Sequence, residues 1–291
     1  MTPSYAVSAH LFAYEPLAFE HLRAAAEAGF ARVELWAMAP HFDIADEAAL
    51  ARLKGWLEAA SLEAVSFHAP FYAHLDEARA GRWLSLADPA PAARRRALER
   101  TEAAMRAFAG LGARIAVLHP CAPGAAAEAD PAGPLRESIE TLLPLAEALG
   151  LRLALENIPA PFGRAEPLAA FVEEISHPRL GVCLDAGHAY LSEGEGAGAA
   201  FRRLAPLAIA AHLHDNDGER DAHLPPGEGG APWDILWEAF ESAGYAGPLA
   251  FELRRREGVS YAETLSALGE SLARAPWTPV GGASPGRGGR P

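Results

Sequence analysis

Lysine is almost missing from this chain. Lys54 is the only one among 291 residues, and it falls in the helical pattern Glu47 to Ala60, where a solvated face is its natural setting. Schiff-base chemistry needs a desolvated amine, so this scarcity argues against it. Cysteine is scarce too. Cys121 and Cys183 fit neither a zinc knuckle nor a C-x-x-C redox pair, which argues against a disulfide framework. Cys183 reads as a small buried hydrophobe. No stretch of about 18 uninterrupted apolar residues occurs. Met1 to His10 has neither a basic segment nor an apolar run before a cleavage site, so the expectation is a cytoplasmic protein with no membrane association. Positive charge is in deficit, with 25 Lys and Arg against 38 Asp and Glu and a net charge of −13. That balance argues against a broad nucleic-acid surface, because phosphate binding draws on clustered cations. Arg94, Arg95 and Arg96 do cluster, but at a helix start, where a solvated face explains them.

What is present is a globular balance, half hydrophobic and 22% charged, in a length that suits one α/β barrel of about 250 residues plus extensions. Short apolar runs alternate with amphipathic stretches. The runs predict strands at Tyr5 to Ala9, Arg32 to Trp36, Glu63 to Phe67, Arg114 to Leu118, Arg152 to Leu155, Leu180 to Leu184, Ile209 to Leu213 and Leu249 to Leu253. Helical periodicity covers Glu15 to Ala28, Pro91 to Ala109, Leu135 to Leu149, Leu168 to Ile175, Trp233 to Ser242 and Tyr261 to Ala275. Gly29, Gly110, Gly150 and Gly244 are expected as left-handed helix caps. Strands separated by helices of ten or more residues pair in parallel, so the expected fold is a single-domain (β/α)₈ TIM barrel over residues 1–276, with 277–291 a flexible tail. The irregular segments Tyr72 to Ala92, Ala122 to Gly133 and Asp215 to Ala231 lie on the βα side and are candidate substrate loops.

Ligand-type side chains recur at the ends of the predicted strands. His68, His119, Glu156, Asp185, His212 and Glu252 lie at or beside the ends of the third to the eighth, and a closed barrel converges these ends on one cavity. Such a set makes a metal or acid/base site. A lone histidine after a strand, such as His68 or His119, is by itself more often a structural residue. Glu156 and Glu252 differ, since each ends an apolar strand where an unpaired carboxylate carries a large desolvation penalty. Asp185 and His188 form Asp-x-x-His, and Gly187 between them is expected to let the chain turn so that both face the mouth; a helix cap by Asp185 is the competing reading. His212 and His214 share one strand face and Asp215 takes the other. Of the two histidines, His212 is the preferred ligand, with His214 a substrate contact or a group behind the ligands. Asp221 and His223 form Asp-x-His in a Gly- and Pro-rich loop, where solvation and function are equally natural.

His-Ala-Pro at 68–70, Leu-His-Pro at 118–120, Leu-Glu-Asn at 155–157, Leu-Asp-Ala-Gly-His at 184–188, and His-Leu-His-Asp-Asn followed by Leu-Pro-Pro-Gly-Glu-Gly at 224–229 together resemble the xylose-isomerase-like superfamily. That superfamily contains sugar and sugar-phosphate isomerases and epimerases and also apurinic endonucleases of the endonuclease IV type. Resemblance to the epimerase branch implies one divalent metal held by Glu156, Asp185, His212 and Glu252. The two glutamates would also move the substrate proton through a metal-stabilised cis-enediolate, and His188 would contact substrate. Resemblance to the endonuclease branch implies three zinc ions, with His68, His119, His188, Asp221 and His223 as further ligands. Asn157 is followed by Ile-Pro-Ala-Pro-Phe-Gly rather than that branch's Gly- and Gln-containing segment, which favours the sugar enzymes. The expectation is therefore a metal-dependent isomerase or epimerase of a small sugar or sugar phosphate, with a metal-dependent phosphodiesterase acting on abasic DNA as the alternative. Catalysis is assigned to Glu156 and Glu252, and substrate contacts to His188, His214 and Arg220. The donor set suits Mn²⁺, Zn²⁺, Co²⁺, Fe²⁺ or Mg²⁺.

Overall fold

The computed structural model describes residues 5–123 and 131–274. Its eight parallel strands close into a barrel in chain order: β1 (Tyr5–Ser8), β2 (Arg32–Trp36), β3 (Glu63–His68), β4 (Ile115–Leu118), β5 (Arg152–Glu156), β6 (Leu180–Asp185), β7 (Ala208–Leu213) and β8 (Leu249–Phe251). These match the predicted runs closely. A barrel strand is buried on both faces, by the lumen within and the helices without, so its sequence must be nearly continuously apolar.

The helices are α1 (Phe19–Glu27), α2 (Glu47–Ala60), α3 (Leu75–Arg79), α4 (Pro91–Ala109), α5 (Ala132–Leu149), α6 (Ala165–Ile175), α7 (Ala186–Glu193), α8 (Ala197–Leu204), α9 (Trp233–Ala243) and α10 (Tyr261–Arg274). The helix predicted from Glu15 begins only at Phe19, because the Leu17 amide donates to the His41 carbonyl at 2.8 Å and Ala18 is extended. Gly110, expected in the left-handed region, has φ −64°. The chain makes one more turn, and Gly112 takes the positive φ of +101° instead. Short α3 interrupts the segment Tyr72 to Ala92. Most of the loop Ala122 to Gly133, and the tail expected at 277–291, lie outside the described residues.

Alternation along β5 places Arg152, Ala154 and Glu156 on one face. Ala154 packs with Ile115, Val117, Cys183, Ile209 and Ala210 in a small cluster separate from the core beneath the helices. That cluster fills the lumen, so the Arg152–Ala154–Glu156 face is the inner one. Cys183 is the buried hydrophobe expected of it. No helix among the described residues is long and apolar enough to cross a membrane.

Candidate metal centre at the barrel mouth

Parallel register sets Asp185 opposite His212 and Glu156 opposite Cys183, while Glu252 follows the last residue of β8. One donor atom from each of Glu156, Asp185, His212 and Glu252 lies within 4.8 Å of the others. His212 Nδ1 is 2.6 Å from Glu252 Oε2, 3.6 Å from Glu156 Oε1 and 3.7 Å from Asp185 Oδ2. Glu156 Oε1, His212 Nδ1 and Glu252 Oε2 are buried and make no well-directed hydrogen bond, although His212 Nδ1 faces Glu252 Oε2 at 2.6 Å and His188 Nδ1 faces Glu156 Oε1 at 3.0 Å. Each such atom costs about 1–3 kcal/mol, and more when charged. A divalent cation would satisfy all three at once and offset the mutual repulsion of the carboxylates. The donor set, one imidazole nitrogen and three carboxylates, fits it chemically.

His212 is held from behind. Its Nε2 lies 3.2 Å from Glu34 Oε2, and Glu34 also accepts from Ser8 Oγ at 3.0 Å and Ser66 Oγ at 2.8 Å. Register explains the trio, since Glu34 pairs with Ser8 on β1 and with Ser66 on β3. With Nε2–H donated to this fully buried carboxylate, Nδ1 presents its lone pair to the centre. Glu34 was missed in the sequence. Its signal was there, a carboxylate inside the apolar run Arg-Val-Glu-Leu-Trp, the same anomaly that marks Glu156.

Two further clusters flank the centre. His68 Nε2 and His119 Nε2 lie 3.2 and 3.5 Å from Glu156 Oε2. On the other side His188 reaches Glu156 Oε1 with Nδ1 at 3.0 Å and Asp221 Oδ1 with Nε2 at 3.6 Å. His223 Nε2 is 3.0 Å from Asp221 Oδ2, and His214 Nε2 is 3.0 Å from Asp185 Oδ1. Burial alone would raise the Glu156 and Glu252 carboxyls, but a doubly protonated His212, joined by His119 for the first and by His10 for the second, outweighs it and holds both well below the usual carboxylate range; a cation at Nδ1 would replace that proton and act in the same direction. Burial would lower His188, yet Asp185, Asp221 and Glu156 push it well above its ordinary value.

The two readings of Asp185 turn out to be compatible. One oxygen caps α7, accepting from the His188 amide at 2.6 Å, and its carboxylate still belongs to the cluster. Gly187 is needed for a different reason than the turn expected of it. It sits inside α7 without a positive φ, and a Cβ there would stand 2.1 Å from His214 Cε1. Arg220 does not reach the site. Its side chain is 82% exposed and donates to Asp217 at 3.1 Å, because the exposed turn at 217–220 bonds within itself. Arg254 lines the mouth instead, as does His10; each directly follows a predicted strand, Leu249 to Leu253 and Tyr5 to Ala9, and neither was singled out. Above the centre opens a cavity of about 420 Å³ walled by Tyr14, Trp36, Phe71, Tyr72 and Trp83. Phe71 stacks on His119 at 4.0 Å, and Trp36 Nε1 donates to the Tyr72 hydroxyl at 3.2 Å.

A closed eight-stranded barrel with carboxylates and imidazoles gathered at the C-terminal ends of its strands defines a TIM barrel whose mouth carries a candidate metal site. The xylose isomerase-like TIM barrel family matches residues 22–274, and the chain belongs to that family. Among solved structures it is similar to a D-tagatose 3-epimerase-like protein, with 22% identity, TM-score 0.75, and 94% of this chain and 97% of that one covered. A D-psicose 3-epimerase crystallised in the presence of D-fructose gives 16% identity, TM-score 0.72 and the same coverage. An IolI protein with a bound zinc atom gives 16% identity and TM-score 0.71, covering 94% of this chain and 95% of that one. Two curated relatives are uncharacterized proteins. The protein y4fM of Sinorhizobium fredii is 41% identical over 25% of this chain and 23% of its own length. MJ1311 of Methanocaldococcus jannaschii is 31% identical over 44% of this chain and 46% of its own. The chain thus spans less than half the length of these curated relatives.

Proposed function

We propose that this chain is a divalent-metal-dependent isomerase or epimerase of a small, unphosphorylated sugar. The observation that carries the reading is the buried cluster Glu156, Asp185, His212 and Glu252, three of whose ligand-type atoms make no well-directed hydrogen bond. Likeness to a D-psicose 3-epimerase and to a zinc-bound IolI protein supports it. The two free, buried cysteines suit a reducing, cytoplasmic setting.

A divalent ion held by these four residues would polarise a substrate carbonyl and its neighbouring hydroxyl, acidifying the proton on carbon. The remaining chemistry belongs to the chain. Glu156 and Glu252, kept ionised by the positive charge around them, are the carboxylates at the cavity floor that can take a carbon-bound proton and return one through lone pairs a bound cation would leave over. His68 and His119 hold the other oxygen of Glu156. His188 lines the cavity and is placed to donate to a substrate oxygen. Trp36, Phe71 and Trp83 offer faces for the C–H side of a sugar and keep water out. Arg254 is the one arginine or lysine among the described lining residues. Its guanidinium already donates to the Asp221 carbonyl at 2.9 Å and lies 4.0 Å from that carboxylate. A phosphate would meet a largely anionic floor whose one described cation is already shared with Asp221.

The test is exchange of a ketose's α-proton with deuterated solvent by metal-loaded protein. Glu156→Gln and Glu252→Gln should each lower exchange by about 10²–10⁴-fold, the usual span for loss of a general base, while His68→Ala retains part of it. Cleavage of an abasic-site duplex with three metal ions bound per chain, and no exchange on any ketose, would overturn the reading.

A further inference from the structure

The opposite end of the barrel holds a second polar cavity, of about 460 Å³. Arg114 immediately precedes β4, Arg152 opens β5 and Arg179 immediately precedes β6, so three adjacent strands each begin with a guanidinium. The ladder ties their backbones together: Arg152 N donates to the Arg114 carbonyl at 2.9 Å, and Leu153 N to the Arg179 carbonyl at 2.7 Å. All three line the cavity. Ile115 and Ile209, from the cluster that fills the lumen, line it as well, and so do Tyr245 and Pro248 from the loop before β8.

No aspartate or glutamate is among the lining residues. On the outer helices Arg23, Arg136 and Arg203 pair with glutamates, while Arg95 and Arg100 on α4 form no ion pair among the described residues. Arg114, Arg152 and Arg179 pair with no carboxylate among the described residues. Arg114 and Arg179 each give one nitrogen to a backbone carbonyl, of Ala113 at 3.1 Å and Leu151 at 3.3 Å. A guanidinium has five N–H donors, so most remain uncommitted. Arg152, though exposed at the rim, is held below its ordinary value by partial burial and the neighbouring Arg179, the sign of a cation lacking a counter-charge. Like charges gathered in a concavity of a chain whose net charge is −13 are stabilised by an anion, and planar guanidinium forks match phosphoryl oxygens two at a time. The cavity lies in the size range of small-molecule sites, larger than a bare phosphate needs, and its isoleucine and proline surfaces suit an organic portion.

We propose that this N-terminal cavity binds a small organic phosphate, its phosphoryl group held by Arg114, Arg152 and Arg179. The site is separate from the metal centre. Arg152 and Glu156 stand at opposite ends of β5, about 13 Å apart at a strand rise of roughly 3.3 Å per residue. The two proposals can therefore fail independently.

Calorimetric titration of the metal-loaded full chain tests this, with inorganic phosphate and with phenyl phosphate, whose ring stands in for an apolar organic portion. Each should bind saturably at one site per chain, phenyl phosphate the more tightly. Arg152→Gln or Arg114→Gln should weaken both by about tenfold or more, the scale of a lost charge-assisted bond. Glu252→Gln at the mouth, and Arg32→Gln, which removes an arginine paired with Glu63 outside the cavity, should leave both unchanged. Melting curves guard against misfolding. Arg152→Gln should melt at or above the wild-type temperature in phosphate-free buffer, because it relieves repulsion, and should lose the wild type's rise on adding phosphate. Absence of saturable phosphate binding at tens of millimolar, or binding that survives Arg114→Gln and Arg152→Gln combined, would overturn the site. Equal affinity for the two probes would overturn the organic ligand.

Discussion

Two buried residues show how neighbours rather than identity decide what a side chain does. Glu34 touches no substrate cavity, yet it fixes which nitrogen His212 turns to the centre, which makes it a positioning residue. Glu34→Gln keeps the volume and weakens the acceptor, and should lower metal affinity about 10–100-fold, measured by competition with a chromophoric chelator. Unchanged affinity would show that His212 needs no such partner. His41 carries a different liability. Its Nδ1–H donates to the Phe12 carbonyl at 3.0 Å, and its buried Nε2 has no partner. Burial holds its pKa down at about 4, against about 6.5 in the unfolded chain. The unfolded state therefore binds the extra proton first as pH falls. The stability associated with neutral His41 is complete above about 6.5 and is lost progressively down to about 4, on the order of 3 kcal/mol across that window. Urea unfolding at stepped pH should show this slope, and His41→Gln should flatten it. An equal slope in both proteins would rule His41 out as its source.

At the scale of elements, the segment between β7 and α9 brings Asp221 and His223 back over the mouth, and Asp215 organises it. One Asp215 oxygen accepts from the Asn216 and Ala231 amides at 2.9 and 3.1 Å, the other from the Gly227 amide and Trp233 Nε1 at 2.9 and 2.8 Å. Gly229 is packed so closely that a Cβ would lie 2.2 Å from the Asn216 carbonyl oxygen. Asp215→Asn would turn an amide N–H toward two of these donors. We expect a loss of about 2–4 kcal/mol, from a lost charge-assisted bond and a buried donor left unpaired, together with displacement of His223, seen as a lower melting temperature and an altered crystal structure of the loop. Wild-type stability in this variant would mean the loop is held by other contacts. Strands and long helices were readable because burial imposes a period on them. Short α3, α7 and α8 were not singled out, since so few residues carry too little periodicity, and the order of this loop depends on a carboxylate meeting N–H donors up to 18 positions away.

For the whole molecule, the carboxylates of Glu156, Asp185 and Glu252 crowd one end of the barrel while arginines crowd the other. Removing a bound cation should leave the mouth repulsive. At metal concentrations near 100 times Kd, binding is worth about 2.7 kcal/mol, which for a domain of this size corresponds to roughly 5–10 °C. Chelation should lower the melting temperature by that amount, and returning Mn²⁺ or Zn²⁺ should restore it. A melting curve indifferent to chelator would count against the centre.

What the sequence by itself determined is the barrel and the convergence of ligand-type residues at its mouth. Eight apolar runs separated by amphipathic helices admit few other closures, and strand-end residues must then share one cavity. Glu156, Asp185, His212 and Glu252 were legible because a polar group at the end of an apolar run is costly unless something compensates it. Only the tertiary structure decided the rest. That Glu34 backs His212, that Arg254 and not Arg220 faces the cavity, that Gly187 makes room for the His214 ring, and that three arginines meet at the far end all depend on register between strands distant in sequence. Linear spacing reports which face of its own strand a residue takes. It does not report what stands across from it, and that opposing partner sets the charge, burial and proton position on which the chemistry depends.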